Sequence, residues 1–200
     1  MRVSDWVRRV EELLARWLRP GGDPHQRRID LLRARGVRIG SGCWILSENF
    51  STEPWLVEIG DRVAVSSGVQ FVTHEGTAWL LRDRHPNLQV FGHIRIGDDS
   101  LVGHGAIILP GTTIGTGCIV GAGAVVKGRF PDGMIVAGNP ARVLKPTEEH
   151  LRMLVESPNR LDVWHLDAAE RARRIKAHFG IDTPSATVLR RIDRPSGKLR

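Results

Sequence analysis

The chain contains little cysteine, which argues against a disulfide-stabilised protein and against a cysteine-rich zinc protein. Only Cys43 and Cys118 occur in 200 residues, too few for a disulfide framework or for a zinc site built on several cysteines. Long apolar runs are also missing. The first residues show no signal-peptide core, and no stretch has the roughly 18 apolar residues of a membrane-spanning helix. The sequence therefore predicts a soluble, cytoplasmic protein.

Aromatic side chains do not alternate with the basic ones, which argues against a nucleic-acid partner. The formal net charge is +7. The basic excess lies in residues 1–36 and 145–200, while residues 37–144 are slightly acidic. Arginine dominates these ends, so we expect a solvated surface and no nucleic-acid binding. The alternative partner for the basic ends is an anionic glycan, or a membrane that holds one.

A period of six residues organises residues 96–127. An aliphatic residue opens each unit, glycine often follows it, and a small residue stands four positions later. The aliphatic residues are Ile96, Val102, Ile108, Ile114, Val120 and Val126, and the small ones are Ser100, Ala106, Thr112, Cys118 and Ala124. A period of six fits neither a helix nor an alternating strand, so each unit is predicted to be a short strand and a corner, stacked into a solenoid. Cys43 and Cys118 occupy small inward positions and are predicted to be buried thiols.

These hexads resemble those of the hexapeptide-repeat acyltransferases. The resemblance covers about residues 30–146 and implies a mainly β fold: a left-handed parallel β-helix with three hexads in each coil and helices at both ends. The handedness comes from the resemblance, since general rules for parallel crossovers favour the right-handed form. The resemblance also implies a homotrimer with active sites at subunit interfaces.

The pattern divides the chain into three parts: N-terminal helices at 1–36, the β-helix domain at 37–146, and a helical extension with a mobile basic tail at 147–200. Residues 3–18 have apolar side chains at helical spacing. We interpret this helix as packed on the solenoid or on a neighbouring subunit; the alternative is a peripheral membrane contact with arginines on the polar face. Further helices are predicted from Pro24 to Arg35, from Pro146 to about Glu156 and from Asp167 to Phe179.

The hexad register breaks in two places. The interval from Ile45 to Ile59 is two residues longer than two hexads, which predicts a bulge or small loop around residues 48–50. Between Phe71 and Ile96 a longer excursion leaves the solenoid, at about residues 74–93. Long insertions in compact folds tend to carry function.

The excursion opens with Thr73-His74, a histidine at the exit of a coil. A lone histidine is most often structural. This segment, however, resembles the Thr-His segment of hexapeptide sugar and xenobiotic O-acetyltransferases, which gives His74 the role of general base on an acceptor hydroxyl. Glu75 is adjacent but faces the other way in an extended chain, so a carboxylate or carbonyl from another coil is favoured to orient His74. A backbone N–H or Ser66 would stabilise the oxyanion.

Zinc chemistry is the metal alternative, because the same solenoid hosts a carbonic anhydrase family whose sites resemble His-x4-His with a distant third histidine. His74, His85, His93 and His104 are 11, 8 and 11 residues apart. The short spacing is missing, so no metal is expected. The last three histidines are assigned to loop or coil surface, with a role in the acceptor site left open.

The last coils resemble the C-terminal signature of acetyl-CoA-dependent members, which comprises residues 121–127 and 138–145. The resemblance implies pantetheine contacts at Gly103, Gly121 and Ala122, and phosphate contacts at Lys127, Arg142 and Lys145. Small residues make room for a thin pantetheine arm, and basic side chains pair with phosphates. The structural alternative is that the glycines form corners and Pro140 closes the solenoid.

The acceptor site departs from the maltose-acetyltransferase pattern. Leu101 stands where those members have a tryptophan, and their asparagine has no firm match, so Asn49 and Ser66 are the candidates for substrate binding. The segment from Glu53 to Gly60, and the position of Trp79, look more like polysaccharide and capsule O-acetyltransferases. Trp79 is predicted to stack on a sugar face or, equally, to pin its loop to the core.

Together these features predict an acetyl-CoA-dependent O-acetyltransferase. It would transfer an acetyl group to a hydroxyl of a sugar or polysaccharide precursor by direct attack, without an acyl-enzyme, because both thiols occupy core positions. The alternatives are an N-acetyltransferase on an amino sugar, a non-catalytic β-helix scaffold and a zinc hydratase.

Overall fold

Short parallel strands make up most of the fold. The computed structural model of the protein describes residues 23–181, so the predicted helix at 3–18 and the end of the predicted basic tail lie outside the described residues. In chain order the strands are β1 (Arg38–Ile39), β2 (Trp44–Ile45), β3 (Val57–Ile59), β4 (Ala64–Val65), β5 (Gln70–Phe71), β6 (Ile94–Ile96), β7 (Leu101–Val102), β8 (Ile107–Ile108), β9 (Thr113–Ile114), β10 (Ile119–Val120), β11 (Val125–Val126), β12 (Arg129–Phe130), β13 (Met134–Gly138) and β14 (Ala141–Pro146). The α-helices of this range are α1 (Pro24–Ala34), α2 (Thr147–Val155) and α3 (Ala168–His178).

Helix α1 begins and ends on local signals. The Asp23 side chain accepts a hydrogen bond from the backbone N–H of His25, and Pro24 occupies the first turn, both of which favour a helix N-terminus. Gly36 follows the helix with a φ of 101°, a conformation that glycine adopts easily. Ile29 and Leu32 are buried and join the core of the coil.

The strands form three parallel sheets that the chain visits in turn. Sheet 1 has the order β1-β3-β6-β9-β12, sheet 2 has β2-β4-β7-β10-β13-β14, and sheet 3 has β5-β8-β11. Within the regular repeat, equivalent residues of neighbouring strands lie three hexads apart, as in Ile96 with Ile114 and Val102 with Val120. The predicted alternation of short strand and corner is therefore confirmed. Strand β14 pairs antiparallel with β13 and ends sheet 2.

The core consists of inward side chains stacked in columns. Ile59, Ile96 and Ile114 occupy successive strands of sheet 1 and are at most 2% exposed. Each such burial contributes about 1.5–3 kcal/mol. Cys43 and Cys118 are buried free thiols, as predicted. Burial raises the pKa of the Cys43 thiol, which makes it a poor nucleophile.

The first register break differs from the prediction. Residues 48–50 do not bulge: Asn49 pairs with Gln70, and Phe50 is buried with its ring stacked on Phe71 at 4.5 Å. The extra residues lie later, between Phe50 and β3, where Pro54–Leu56 forms a 3-10 turn. Phe50 comes one position earlier than the six-residue period requires. Its ring is large enough to reach the column of inward side chains that contains Phe71. The predicted break is therefore a small loop rather than a bulge, and it lies a few residues later than residues 48–50, at 51–56.

The second break is a stem that leaves the coil after β5. The backbone N–H of Gly92 donates to the carbonyl of Thr73 at 2.8 Å, and His74 pairs antiparallel with Phe91. Beyond this stem the residues Gly76–Leu81 form a 3-10 helix. The excursion thus starts and closes at one corner of the coil.

The chain divides into two compact units, one that ends at Leu151 within α2 and one that begins at Arg152. In the second unit, helix α3 begins at a cap where the Asp167 side chain accepts from the backbone N–H groups of Ala169 and Glu170. Among residues 23–181, no helix is long and apolar enough to cross a membrane.

Candidate active site

Most of the predicted site residues lie at two corners of the coil. We call the corner between sheets 3 and 1 the histidine corner; it comprises residues 51–56, 72–93, 109–112 and 127–128. We call the corner between sheets 2 and 3 the glycine corner; it comprises residues 66–69, 103–106 and 121–124. The two corners are separated by the width of sheet 3.

His74 stands at the histidine corner with one ring nitrogen bonded to a carboxylate. Its Nδ1 lies 3.0 Å from Oε2 of Glu53, and its side chain is 44% exposed. A hydrogen bond to a carboxylate places the proton of a neutral imidazole on Nδ1, which leaves Nε2 as the proton acceptor. This arrangement can act as a general base with an orienting carboxylate.

Glu53 is itself fixed by two threonines. Its Oε2 also accepts from the hydroxyl of the buried Thr73 at 2.7 Å, and its Oε1 accepts from Thr52 at 2.6 Å. Partial burial raises the pKa of Glu53, but the hydrogen bonds from Thr52, Thr73 and His74 outweigh burial and lower the pKa to about 2. The carboxylate therefore remains charged at neutral pH.

Glu75, the adjacent carboxylate considered for this role, faces the other side of the stem. Its Oε2 lies 3.4 Å from Nζ of Lys127. Successive side chains of an extended chain point to opposite faces, which explains why His74 contacts Glu53 while Glu75 contacts Lys127. Lys127, a predicted phosphate ligand, thus lies at the histidine corner with an acidic partner.

The glycine corner is narrow because its backbones approach closely. A Cβ atom at Gly103 would lie 2.6 Å from the backbone nitrogen of Ala122, and one at Gly121 would lie 2.7 Å from the Cβ of Ala137. Both positions therefore require glycine for packing alone. Ala122 is exposed and Ser66 is half-buried. The small side chains at Gly103, Gly121 and Ala122 leave room for a thin ligand that runs along the coils, and the exposed His104 lies beside them at the same corner.

The other two predicted phosphate ligands lie on β14. Arg142 is exposed, with its Nη1 donating to the carbonyl of Ala141 at 2.8 Å. Lys145 is half-buried, and its Nζ lies 3.6 Å from Oε1 of Glu149. Both residues come after the last full coil, on the strand that ends sheet 2. Lys127 instead lies at the histidine corner.

The three candidate acceptor residues do not form one group. Asn49 lines an open depression together with Arg35 and Gln70, whereas Ser66 lies at the glycine corner. Trp79 is 71% exposed on the excursion, with the guanidinium of Arg82 5.3 Å from its ring centre. Trp79 therefore does not pin the loop to the core, which removes one of its two predicted roles.

The remaining histidines are dispersed. His93 Nε2 lies 2.9 Å from Nη2 of Arg38, and His104 Nδ1 lies 3.0 Å from the hydroxyl of Ser67. His85 is exposed on the excursion. Within residues 23–181 no three histidine, cysteine or acidic side chains gather into a group that could hold a metal ion.

Several known proteins are similar in sequence to this chain, both in the repeat and over much of its length. A family model described as bacterial transferase hexapeptide (six repeats) matches residues 93–128. Protein CapG of Staphylococcus aureus is 41% identical over 131 residues, which cover 64% of this chain and 76% of CapG. This chain belongs to the bacterial hexapeptide-repeat transferases. The family predicted from the hexads is thereby confirmed.

A second relative matches over a shorter region, and one solved structure matches over a longer one. The putative acetyltransferase YvoF of Bacillus subtilis is 32% identical over 104 residues, covering 52% of this chain and 56% of YvoF. The chain therefore spans little more than half of that relative. The crystal structure of the hexapeptide-repeat containing acetyltransferase VCA0836 from Vibrio cholerae has a TM-score of 0.50 at 23% identity, covering 72% of this chain and 89% of that one. At this identity the likeness shows the fold.

Sequence reasoning about this hexapeptide-repeat transferase did not assign Glu53 to the site. Glu53 falls in the segment where the hexad register is lost, 21 residues before His74. The one available signal was the pair of extra residues between Ile45 and Ile59, because insertions tend to occur at a corner rather than within a strand. The packing of Phe50 decides which corner of the coil these extra residues widen.

Proposed function

We propose that this hexapeptide-repeat transferase is an acetyl-CoA-dependent O-acetyltransferase that acts on a hydroxyl of a sugar or polysaccharide precursor. The observation that carries the proposal is the His74–Glu53 pair at an exposed corner. The description of YvoF as a putative acetyltransferase supports the nature of the transferred group. The resemblance of the last coils to acetyl-CoA-dependent enzymes supports the co-substrate.

In the proposed reaction, Nε2 of His74 accepts the proton of the acceptor hydroxyl while the hydroxyl oxygen attacks the thioester carbonyl. The new C–O bond forms and the C–S bond breaks, and the proton passes from His74 to the departing thiolate. Glu53 stabilises the positive ring between these events. General-base assistance of this kind contributes about 10²–10⁴-fold to the rate.

The co-substrate is proposed to lie along the glycine corner. Gly103, Gly121 and Ala122 would leave room for the pantetheine arm, since none of the three has a side chain larger than a methyl group. Lys127, Arg142 and Lys145 are proposed to pair with the nucleotide phosphates. On this proposal Lys127 exchanges Glu75 for a phosphate when the co-substrate binds.

The same proposal includes a left-handed β-helix that assembles as a homotrimer. Within one chain, sheet 3 separates the glycine corner from the histidine corner. A three-fold assembly would place the glycine corner of one subunit beside His74 of the next. It would also cover apolar side chains on sheet 2, where Trp44 and Leu101 are 50% and 41% exposed.

Calorimetric titration with acetyl-CoA, followed by a thiol-release assay over a panel of sugars and amino sugars, tests the proposal. Three proteins are compared: the wild type, His74→Ala, and the control His85→Ala on the same excursion. All three should bind acetyl-CoA saturably in the micromolar range. Transfer should fall about 10²–10⁴-fold in His74→Ala and remain unchanged in His85→Ala.

Three results would overturn the proposal in different ways. A folded wild-type protein that binds no acetyl-CoA is not a transferase of this kind and would point to the scaffold alternative. Full transfer activity in His74→Ala would remove the assigned base. A preference for amino groups over hydroxyls in the acceptor panel would identify an N-acetyltransferase instead.

A further inference from the structure

Two arginines converge on one carboxylate on the outer face of sheet 1. Arg38, Glu58 and Arg95 occupy paired outward positions on β1, β3 and β6. Arg38 Nη2 donates to Glu58 Oε2 at 3.0 Å, and Arg95 Nε donates to the same oxygen at 3.3 Å. We call these three residues together with His93 the arginine cluster. All four side chains are between 31% and 62% exposed.

The arginine cluster carries an excess of positive charge. Partial burial raises the pKa of Glu58, but Arg38 and Arg95 outweigh it and lower the pKa below its usual range, so the carboxylate is ionised. Burial lowers the pKa of His93, and the charges of Arg95 and Arg38 lower it further. His93 is therefore neutral at pH 7 and accepts at Nε2 from Arg38, which leaves its Nδ1–H as a donor. Two guanidinium groups face one carboxylate, a net charge of about +1.

The guanidinium groups of the arginine cluster retain donors. Arg38 uses Nη2 for both of its contacts, with Glu58 and with His93. Arg95 uses Nε, and within residues 23–181 its two terminal nitrogens form no hydrogen bond. A guanidinium fork of this kind matches the two oxygens of a carboxylate or phosphate.

The stem of the excursion connects the arginine cluster to the proposed base. Phe91 pairs antiparallel with His74, and the two rings meet edge to face with their centres 6.4 Å apart. His93 follows Phe91 by two positions, so Phe91 and His93 project from the same side of the strand. Across an antiparallel pair, a diagonal neighbour of this kind lies about 7–8 Å away. His74, Phe91 and His93 thus form one continuous row.

The contacts of the row support this common direction. His74 reaches back to Glu53 in the first coil, and His93 reaches back to Arg38 in the same coil. Glu75, on the opposite side of the stem, contacts Lys127 instead. The base and the arginine cluster therefore border the same side of the excursion, with Phe91 as an apolar surface between them.

We propose that the acceptor carries an anionic group, a phosphate or a carboxylate, which the terminal nitrogens of Arg95 and Arg38 bind while the reacting hydroxyl lies at His74. Phe91 lies beneath the sugar ring between these two points. This inference rests on the proposed acetyl transfer and narrows its acceptor to acidic or phosphorylated sugars. In the alternative arrangement, the cluster only keeps the outer face of sheet 1 solvated.

Calorimetry on full-length protein saturated with CoA separates these possibilities. The three probes have the same ring configuration and differ in the anionic group: glucose 1-phosphate has a phosphate, methyl glucuronide has a carboxylate, and methyl glucoside has neither. The variants are Arg95→Gln and the control Arg129→Gln, which removes the same charge from the same sheet two strands further along, on β12. Arg38 is not chosen, because it holds both Glu58 and His93.

At least one anionic probe should bind about tenfold more tightly than methyl glucoside. Tighter binding of glucose 1-phosphate identifies a phosphate group, and tighter binding of methyl glucuronide identifies a carboxylate. The preference should disappear in Arg95→Gln and persist in Arg129→Gln. Equal affinity for all three probes, no binding of any of them, or a preference that survives Arg95→Gln overturns the inference.

The experiment distinguishes this inference from the function on which it rests. A parallel titration of the wild type with acetyl-CoA reports the proposed function alone. Binding of acetyl-CoA without any preference for anionic sugars refutes only the arginine cluster as a subsite. An Arg95-dependent preference in a protein that does not bind acetyl-CoA leaves an acidic-sugar site and removes the acetyl transfer.

Discussion

At His74 the surroundings divide the work of the two ring nitrogens. Nδ1 is bonded to Glu53, which is held in turn by Thr52 and Thr73. Glu53 has three hydrogen-bond partners, so its carboxylate has little freedom left to lose when a substrate binds. The fixed carboxylate in turn gives Nε2 of His74 a defined direction. In the proposed reaction Glu53 is a positioning residue, so its removal should alter turnover more than binding.

Substitution of Glu53 by glutamine should lower kcat for acetyl transfer about 10- to 100-fold, because the neutral amide neither fixes the ring tautomer nor stabilises the charged imidazole. The affinity for acetyl-CoA should not change. Steady-state kinetics and calorimetry measure the two quantities. Glu148→Gln, on the surface of α2, is the control. Partial recovery in Glu53→Asp would support positioning, and unchanged kcat in Glu53→Gln would contradict it.

Glu53 also predicts a pH dependence of stability. Its pKa falls from an ordinary value of 4.5 to about 2 in the folded protein. The folded state thus binds fewer protons than the unfolded state between these values, so the stabilisation is complete above about pH 5 and is lost as pH falls towards 2. The difference in Tm between wild type and Glu53→Gln should be largest at pH 7 and shrink at pH 4 and 3. A difference that is constant with pH would contradict this assignment.

At the scale of elements, the coil depends on glycine for two distinct reasons. A Cβ at Gly97 would lie 2.6 Å from the carbonyl carbon of Gly115 and from the backbone nitrogen of Thr116, so the next coil would have to move. Gly117 instead has a φ of 66° and its nearest neighbour at 3.9 Å, so only its backbone conformation favours glycine.

Alanine at these two positions should therefore have unequal costs. Gly97→Ala should lower the free energy of unfolding by about 3 kcal/mol or more, because backbone atoms cannot move aside as a flexible side chain can. Gly117→Ala should cost about 1–2 kcal/mol, the penalty of left-handed backbone for an ordinary residue. Urea denaturation followed by circular dichroism measures both. Equal losses would show that close approach between coils does not limit the fold.

At the scale of the whole molecule, the proposed site needs two subunits. His74 and the glycine corner lie on different edges of one coil. A trimer that joins them would make activity a property of the assembly. Neither half of the site would then be active in a separate chain.

Mixed trimers test this division of the site. His74→Ala removes the base, and Ala122→Trp blocks the glycine corner, so each variant alone should be inactive. Co-expression at equal levels should restore roughly a quarter of the wild-type sites, because a site is intact only where an unblocked corner meets an unaltered His74 from the neighbouring chain. The thiol-release assay on purified mixed trimers measures the recovery. No recovery in a stable mixed trimer would place each active site within a single chain.

The coil could be predicted from the sequence, because its signals are local and repeat. Each hexad of residues 96–127 carries its own inward aliphatic residue and its own small corner residue, so the strands, the buried cysteines and the exit of the chain at Thr73-His74 could be predicted without long-range information. The family resemblance rested on the same repeat. Only the tertiary structure decided which side chains meet across coils. Phe50 keeps its column although it comes one residue early, and this shift places Glu53 at the corner where His74 leaves the coil. The contact between His74 and Glu53 depends on the stacking of coils whose residues are far apart in sequence. The six-residue period does not indicate which side chains meet in this way.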